Sequence, residues 1–230
     1  MYFSISDEAS IAGVTHALFL VMRGVICSPS KIEFISRCND LVSTDISGDL
    51  QRFNDGFKKI IANTTGKCNL KTAGEKLREN FSSRGFRSIN NVIDAYNEAA
   101  FHYGIGIGGH DLFSVDPLAK VEVTLASDDE CIIPLFQNSE KKVNYGELIY
   151  TANDKVMAWV GSKDVDSDCF KISEITTDCL FVILGHELVK PAELYAVSLR
   201  IRRNIIDASY DIDAGHLVIE EYYYSTRKNS

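Results

Sequence analysis

Between Arg87 and Asp111 the chain gathers most of the groups able to bind or transform a polar ligand. Asn90, Asp94, Asn97 and Glu98 fall in a segment with helical periodicity, and Gly104, Gly106, Gly108 and Gly109 follow directly. Asparagine and aspartate are poor mid-helix residues, because their side chains compete for backbone hydrogen bonds. Their concentration points to a face wanted for something; the bland alternative is a solvated surface. Glycines permit positive φ and close backbone approach, so a ligand could meet bare N–H groups. Gly104, Gly106 and Gly109 also satisfy the dinucleotide fingerprint in spacing. That motif works only between a strand and the helix it opens, and here the glycines follow a helix, so nucleotide binding is rejected.

The elements that must position these groups can be read from periodicity. Ile89, Val92, Ile93, Tyr96, Ala99 and Tyr103 make one apolar stripe, and Ser88 offers a cap for the helix start. Upstream, Thr15 to Ile26 reads as a buried strand. Ser28-Pro29-Ser30 opens a helix to about Leu41. A second helix runs from about Ser47 to Ala62, weakened by Gly48 and Gly56. A third covers about Lys71 to Phe81 and ends near Gly85, with its cations as a solvated face. Downstream, Lys120–Leu125, Cys131–Phe136, Leu148–Tyr150 and Lys155–Val160 read as strands, with turns at Asn144–Glu147 and Asn153-Asp154. Gly161 to Asp168 reads as a solvated polar loop; its acids lack the glycine and closing glutamate of a calcium loop. Cys179 to Leu184 is a continuous apolar strand, Pro191 opens a helix to about Asp207, and Gly215 to Tyr224 is a last strand. No linker or repeat interrupts the chain. The expectation is one α+β domain over residues 1–230, helices mostly in the first half and a meander or sandwich in the second.

Composition excludes several classes. The 230 residues carry 45% apolar and 24% charged side chains, ordinary for a soluble globular protein. A net charge of -8 is wrong for a nucleic-acid-coating protein, though it leaves room for a local basic patch. The six cysteines have neither CxxC spacing nor zinc-ligand histidines nearby, so free thiols in a reducing cytoplasm are expected, with no metal and no cofactor. The apolar run from Ile11 to Cys27 contains His16 and Arg23 and is too short to span a membrane.

Arg87, the Asn91-Val92-Ile93-Asp94 core, Asn97, Gly104 and the loop to Asp111-Leu112 resemble the start of the editing domain of the phenylalanyl-tRNA synthetase beta chain. Gly146–Tyr150, then Ile172–Val182 with Thr176 and Thr177, then Ile206-Asp207-Ala208-Ser209 resemble further segments of that domain in the same order. The resemblance spans about residues 87–209 and is to free-standing versions of the domain. It implies a three-layer α+β domain, a β-sandwich or mixed sheet flanked by helices. It also implies hydrolysis, in trans, of the ester joining a wrong amino acid to a tRNA 3′ end. Carried over position by position, the arginine facing the tRNA is Arg87 and the small pocket residue is Ala208. The histidine near the ester falls on Gly108, and the glutamate reading a tyrosine hydroxyl falls on Ile183, so both are absent. Asn91, Asp94, Asn97 and Thr177 join Arg87 and Ala208 on the binding side, while Gly108 and Gly109 stand at the ester, where glycine N–H groups could serve the developing oxyanion and His110, two residues past the lost histidine, could substitute as base, against the alternative of an ordinary loop residue. An apolar Ile183 cannot accept from a phenol, and a buried phenol without a partner costs about 1–3 kcal/mol, so tyrosine is not implied as the substrate. The competing expectation is a catalytically degenerate module that holds an amino acid or small metabolite in the same fold.

Overall fold

In a computed structural model the chain is described at residues 1–43, 51–210 and 216–226. The first strand, β1 (Tyr2–Ile5), leads through α1 (Asp7–Ala12) into β2 (His16–Arg23). Helices α2 (Ile32–Val42), α3 (Gln51–Thr65), α4 (Ala73–Arg84) and α5 (Asn91–Tyr103) follow. Strands then dominate: β3 (Gly108–Asp111), β4 (Lys120–Leu125), β5 (Cys131–Ile132), β6 (Lys141–Lys142), β7 (Leu148–Ala152), β8 (Lys155–Val160) and β9 (Val165–Asp166). Last come β10 (Asp178–Gly185), α6 (Pro191–Ala208) and β11 (Val218–Ser225).

The strands form two main sheets. One has the order β1-β4-β7-β8-β9, parallel only at β1-β4 and otherwise a meander. The turn between β7 and β8 puts both Asn153 and Asp154 at positive φ (47° and 65°), the geometry a tight hairpin requires. The other sheet has the order β11-β2-β10-β3 and is antiparallel throughout. The two sheets pack face to face through Phe19, Val21, Val121, Val123, Leu148, Tyr150, Leu180 and Val182. Helices α5 and α6 cover the opposite face of the second sheet, packing Val92, Ala95, Ala99, Val197 and Ile201 onto Leu18, Leu20, Phe181 and Ile183. The result is the expected three-layer α+β domain. Because β2 and β10 are buried on both faces, they read as unbroken apolar runs without alternation.

Several elements differ from the sequence expectation. The first strand and first helix carry no sequence signal, because four and six residues are too few for a period to show. Of the Cys131–Phe136 run only Cys131–Ile132 is strand. Helix α5 is capped by Asn90, which accepts from the Ile93 amide, and Ser88 instead donates to Asp94. Ile89 therefore precedes the helix and is exposed rather than part of its apolar stripe. Helix α4 begins at a Thr72–Glu75 capping box and ends at Gly85, close to expectation. Two of its cations are bonded rather than free, Lys76 to Asp164 and Arg78 to the Phe101 carbonyl, while Arg84 is exposed. The expected starts of the Ser47 helix and the Gly215 strand lie outside the described residues, as does Gly48.

Candidate functional site

The polar side of α5 is largely consumed by the fold. Asp94 is fully buried and accepts from Ser30 Oγ (2.6 Å), Ser88 Oγ (2.5 Å) and the Ile89 amide (2.8 Å). Asn91, also fully buried, accepts from the Ser28 amide and donates to the Ile26 carbonyl and Ser209 Oγ. Glu98 holds Arg200 in a bidentate pair at 2.5 and 2.8 Å and takes a further bond from Asn204, tying α5 to α6. A carboxylate moved out of water needs such partners to be tolerated at all. Asn91 and Asp94 thus turn inward rather than toward a substrate, which corrects the expectation for both. Asn97 alone of the expected α5 binding residues lines a cavity.

Helix α5 ends at Gly104 in the left-handed region (φ 65°), and the chain turns into β3. This strand is the free edge of its sheet, paired only with β10, with Gly108 opposite Val182 and Gly109 opposite Phe181. Alternation then aims Gly108 and His110 at the other sheet and Gly109 at α5. A Cβ on Gly109 would lie 2.7 Å from Tyr96 Cε1, and one on Gly108 would lie 2.8 Å from Tyr150 Cε2. Two phenol rings are pressed onto bare main chain, so neither position accepts a side chain without displacing a ring.

Hollows open on both sides of this edge. The largest, about 740 Å³, is walled by Tyr96, Asn97, Gly109, Phe136, Lys171 and Ser173. A smaller one, about 150 Å³, lies between the sheets against Gly106, Gly108, Tyr150 and Trp159. A third, about 360 Å³, is bordered by Pro134, Lys141 and Lys163. Asp166 lines all three. Strand β9 pairs it with Ala158 of β8, which holds it beside the glycine edge.

Asp166 is a candidate site residue that carries no signal in the sequence. Its carboxylate has no hydrogen-bond or ion-pair partner among the described residues. It is partly accessible through the hollows it borders, yet it lies deep enough that burial, with the charge of Asp164 added, pushes it up to about 7. Asp164 is also raised by burial, but Lys76 and the Gly161 amide bind it. Burial and then the Asp166 charge raise the phenols of Tyr96 and Tyr150, so both are neutral donors. Cys27, on the wall of the large cavity, is pushed up to about 11 by burial and by Asp111, so it offers no thiolate.

The remaining expected residues divide. Arg87 is exposed, two positions before the cavity-lining Ile89, and has no ion pair among the described residues. Lys171 stands on the cavity wall but is bound by Asp168, which also accepts the Phe136 amide; the Lys171 ammonium sits 5.9 Å from the Phe136 ring. Phe136 itself is exposed and held at φ 61°. Thr177 is exposed and offers only its carbonyl, to the Val25 amide, whereas buried Thr176 bonds Asp111. Ala208 packs among Phe34, Cys38, Phe81, Phe86 and Phe101, far from a pocket-lining role, because α6 turns it toward α2. His110 is sealed between the sheets with neither ring nitrogen bonded, and burial lowers it to about 4. A base must reach its proton, and His110 borders none of the three hollows, so it is corrected from catalytic candidate to buried neutral ring. Ile183, where a glutamate was looked for, lies wholly in the helix-side core.

The sequence matches the B3/4 domain family over residues 57–194. Among solved structures it is similar to an N-terminal fragment of the phenylalanyl-tRNA synthetase beta-subunit from Pyrococcus horikoshii, with 8% identity and a TM-score of 0.49. That match covers 99% of this chain and 54% of the fragment, so the chain spans about half the fragment's length. No curated protein matches the sequence.

Proposed function

We propose a function from the premise that this chain belongs to the B3/4 domain family, the family of the phenylalanyl-tRNA synthetase beta-subunit editing domain. The proposed activity is hydrolysis, in trans, of the ester that links an amino acid to the 3′ end of a tRNA. The observation that carries it is the free glycine edge of β3, which fronts the large cavity at Gly109 and the small one at Gly108. Water adds to the ester carbonyl, the acyl C–O bond breaks, and the ribose oxygen leaves with a proton. The negative charge forming on the carbonyl oxygen needs donors fixed in place beforehand, and the main-chain amides of the Gly106–Gly109 segment that face away from β10, Gly109 among them, are the groups available. One such donor is worth about 10²–10³ in rate. Arg87, exposed two positions before the cavity-lining Ile89 and free of a competing carboxylate among the described residues, is the cation proposed to meet tRNA phosphates.

The test is a deacylation assay on a panel of aminoacyl-tRNAs, one for each amino acid. Hydrolysis above the buffer rate for at least one supports the reading, and none for any member ends it. A second reading is a module that binds an amino acid without hydrolysing it. It is favoured by Gly108 and Ile183, which leave no imidazole or glutamate at the positions where the resemblance expects them, and by the sealing of His110, the one substitute base. Calorimetric titration with free amino acids checks it; binding by a protein inactive in the deacylation assay is the outcome it expects.

A further inference from the structure

The large cavity contains a charge that the protein leaves unanswered. Of the carboxylates in or near it, Asp164 is bound by Lys76, Asp168 by Lys171 and Asp111 by Thr176, and Glu174 is exposed on the rim, where water solvates it. Asp166 is set back among the hollows with no cation and no donor among the described residues. An ionised carboxylate in that position is costly, and a protein that keeps one commonly reserves it for a ligand of opposite charge. An amino acid joined through its carboxyl to a ribose has lost its own carboxylate, so its α-ammonium is the only charge on its backbone. Such a group carries three donors, which fit the two oxygens of Asp166 and the amide oxygen of Asn97, another wall residue. The Tyr96 ring, on the same cavity wall, adds an aromatic neighbour for a cation.

We propose that Asp166 is the anchor for a primary ammonium, the α-amino group of an amino acid whose carbonyl lies against the β3 glycines. The inference rests on the reading that this cavity takes an aminoacyl group, and it does not depend on hydrolysis. It supplies what the apolar Ile183 cannot: recognition of a feature common to all amino acids rather than of one side chain. Binding a cation there also forces Asp166 to ionise. The groups facing it are Asp164 with its Lys76 partner, the Tyr96 and Tyr150 phenols, Lys171, Glu174 and Cys27 around the large cavity and, across the third hollow, Lys163 and Lys141; burial pushes Asp166 itself up to about 7.

The experiment is calorimetric titration of the full chain with amino-acid amides, which carry the ammonium and lack a carboxylate, beside the matching des-amino amides. Runs at pH 7 in two buffers of different ionisation enthalpy report protons exchanged. The expected result is that at least one amide binds with proton release. Its des-amino counterpart should bind at least tenfold more weakly to the wild-type protein, and Asp166→Asn should weaken the amide by a similar factor. Equal affinity for amide and des-amino amide overturns the proposal, as does unchanged affinity in D166N or failure of every amide to bind. The deacylation panel reads independently of this titration. Hydrolysis without ammonium discrimination sinks the anchor and spares the function; ammonium-dependent binding without hydrolysis does the reverse.

Discussion

Replacing Asp166 with asparagine should make the protein more stable, by an amount that grows as pH rises from about 4 to about 7. The carboxyl is raised from 3.8 to about 7 in the folded chain. The folded state therefore holds a proton that the unfolded state has already released across that interval. Stability falls as pH rises through it and levels off above 7. A tenfold change in a protonation equilibrium is worth about 1.4 kcal/mol, so the interval from 3.8 to about 7 sets an upper bound on the order of 4 kcal/mol on the cost of the ionised form. Asparagine keeps the shape and removes the charge. Urea unfolding at pH 4.5 should give D166N an advantage of no more than about 1 kcal/mol, because the unfolded carboxyl is already mostly ionised there. At pH 8.5 the variant should gain up to about 4 kcal/mol, or roughly 8–16 °C in Tm for a chain of this size. A gap that is the same at both pH values, or a variant less stable at pH 8.5, would refute the claim that this carboxylate is stranded. Saturating an ammonium ligand should narrow the gap, because the ligand binds and stabilises the wild type alone.

Three further outcomes follow from the same geometry. Gly109→Ala drives a methyl to 2.7 Å from the Tyr96 ring; the ring can yield only toward the cavity. The expected cost is about 1–3 kcal/mol in thermal unfolding together with at least tenfold weaker ligand binding or turnover; wild-type values for both would contradict the close approach. His110 is lowered from 6.5 to about 4, so its contribution holds above 6.5 and is lost as pH falls through the interval, on the order of 3 kcal/mol. His110→Leu should remove that acid sensitivity and retain activity, and loss of activity in a folded variant would restore His110 as a base. Arg87→Ala should leave Tm within about 1–2 °C, since exposed residues without partners change stability by about 0.5 kcal/mol at most. It should also reduce the salt slope of tRNA binding by about one, and an unchanged slope would mean that no phosphate meets Arg87.

Much of the fold was legible because its signals are local and long. The α5 stripe, the unbroken apolar run of β10 and the proline at the start of α6 each announce an element. The glycine segment was legible as a place of close approach, and two rings do lie on it. What failed was the assignment of polar side chains to ligand or fold. Asn91, Asp94 and Glu98 look from sequence like an offered face, but the partners that bury them (Ser209, Ser30, Arg200) come from as far as 118 positions away, where no period reaches. Asp166 failed in the opposite direction. A two-residue strand inside an acidic loop reads as solvent, and only its pairing with Ala158 turns the carboxylate toward the hollows. Ala208 was misplaced because one small residue in a turn has no directional signature, and packing alone decides that it faces the phenylalanines of α2, α4 and α5.

The central claim is that the hollow beside the glycine edge receives the aminoacylated end of a tRNA. The most direct measurement is a crystal structure of the protein with terminal adenosine carrying a non-hydrolysable, amide-linked aminoacyl group. The account predicts the ammonium at Asp166 and the acyl carbonyl oxygen within hydrogen-bond distance of main-chain amides along Gly106–Gly109. An analogue bound elsewhere on the surface, or a cavity left empty at saturating concentration, would contradict it.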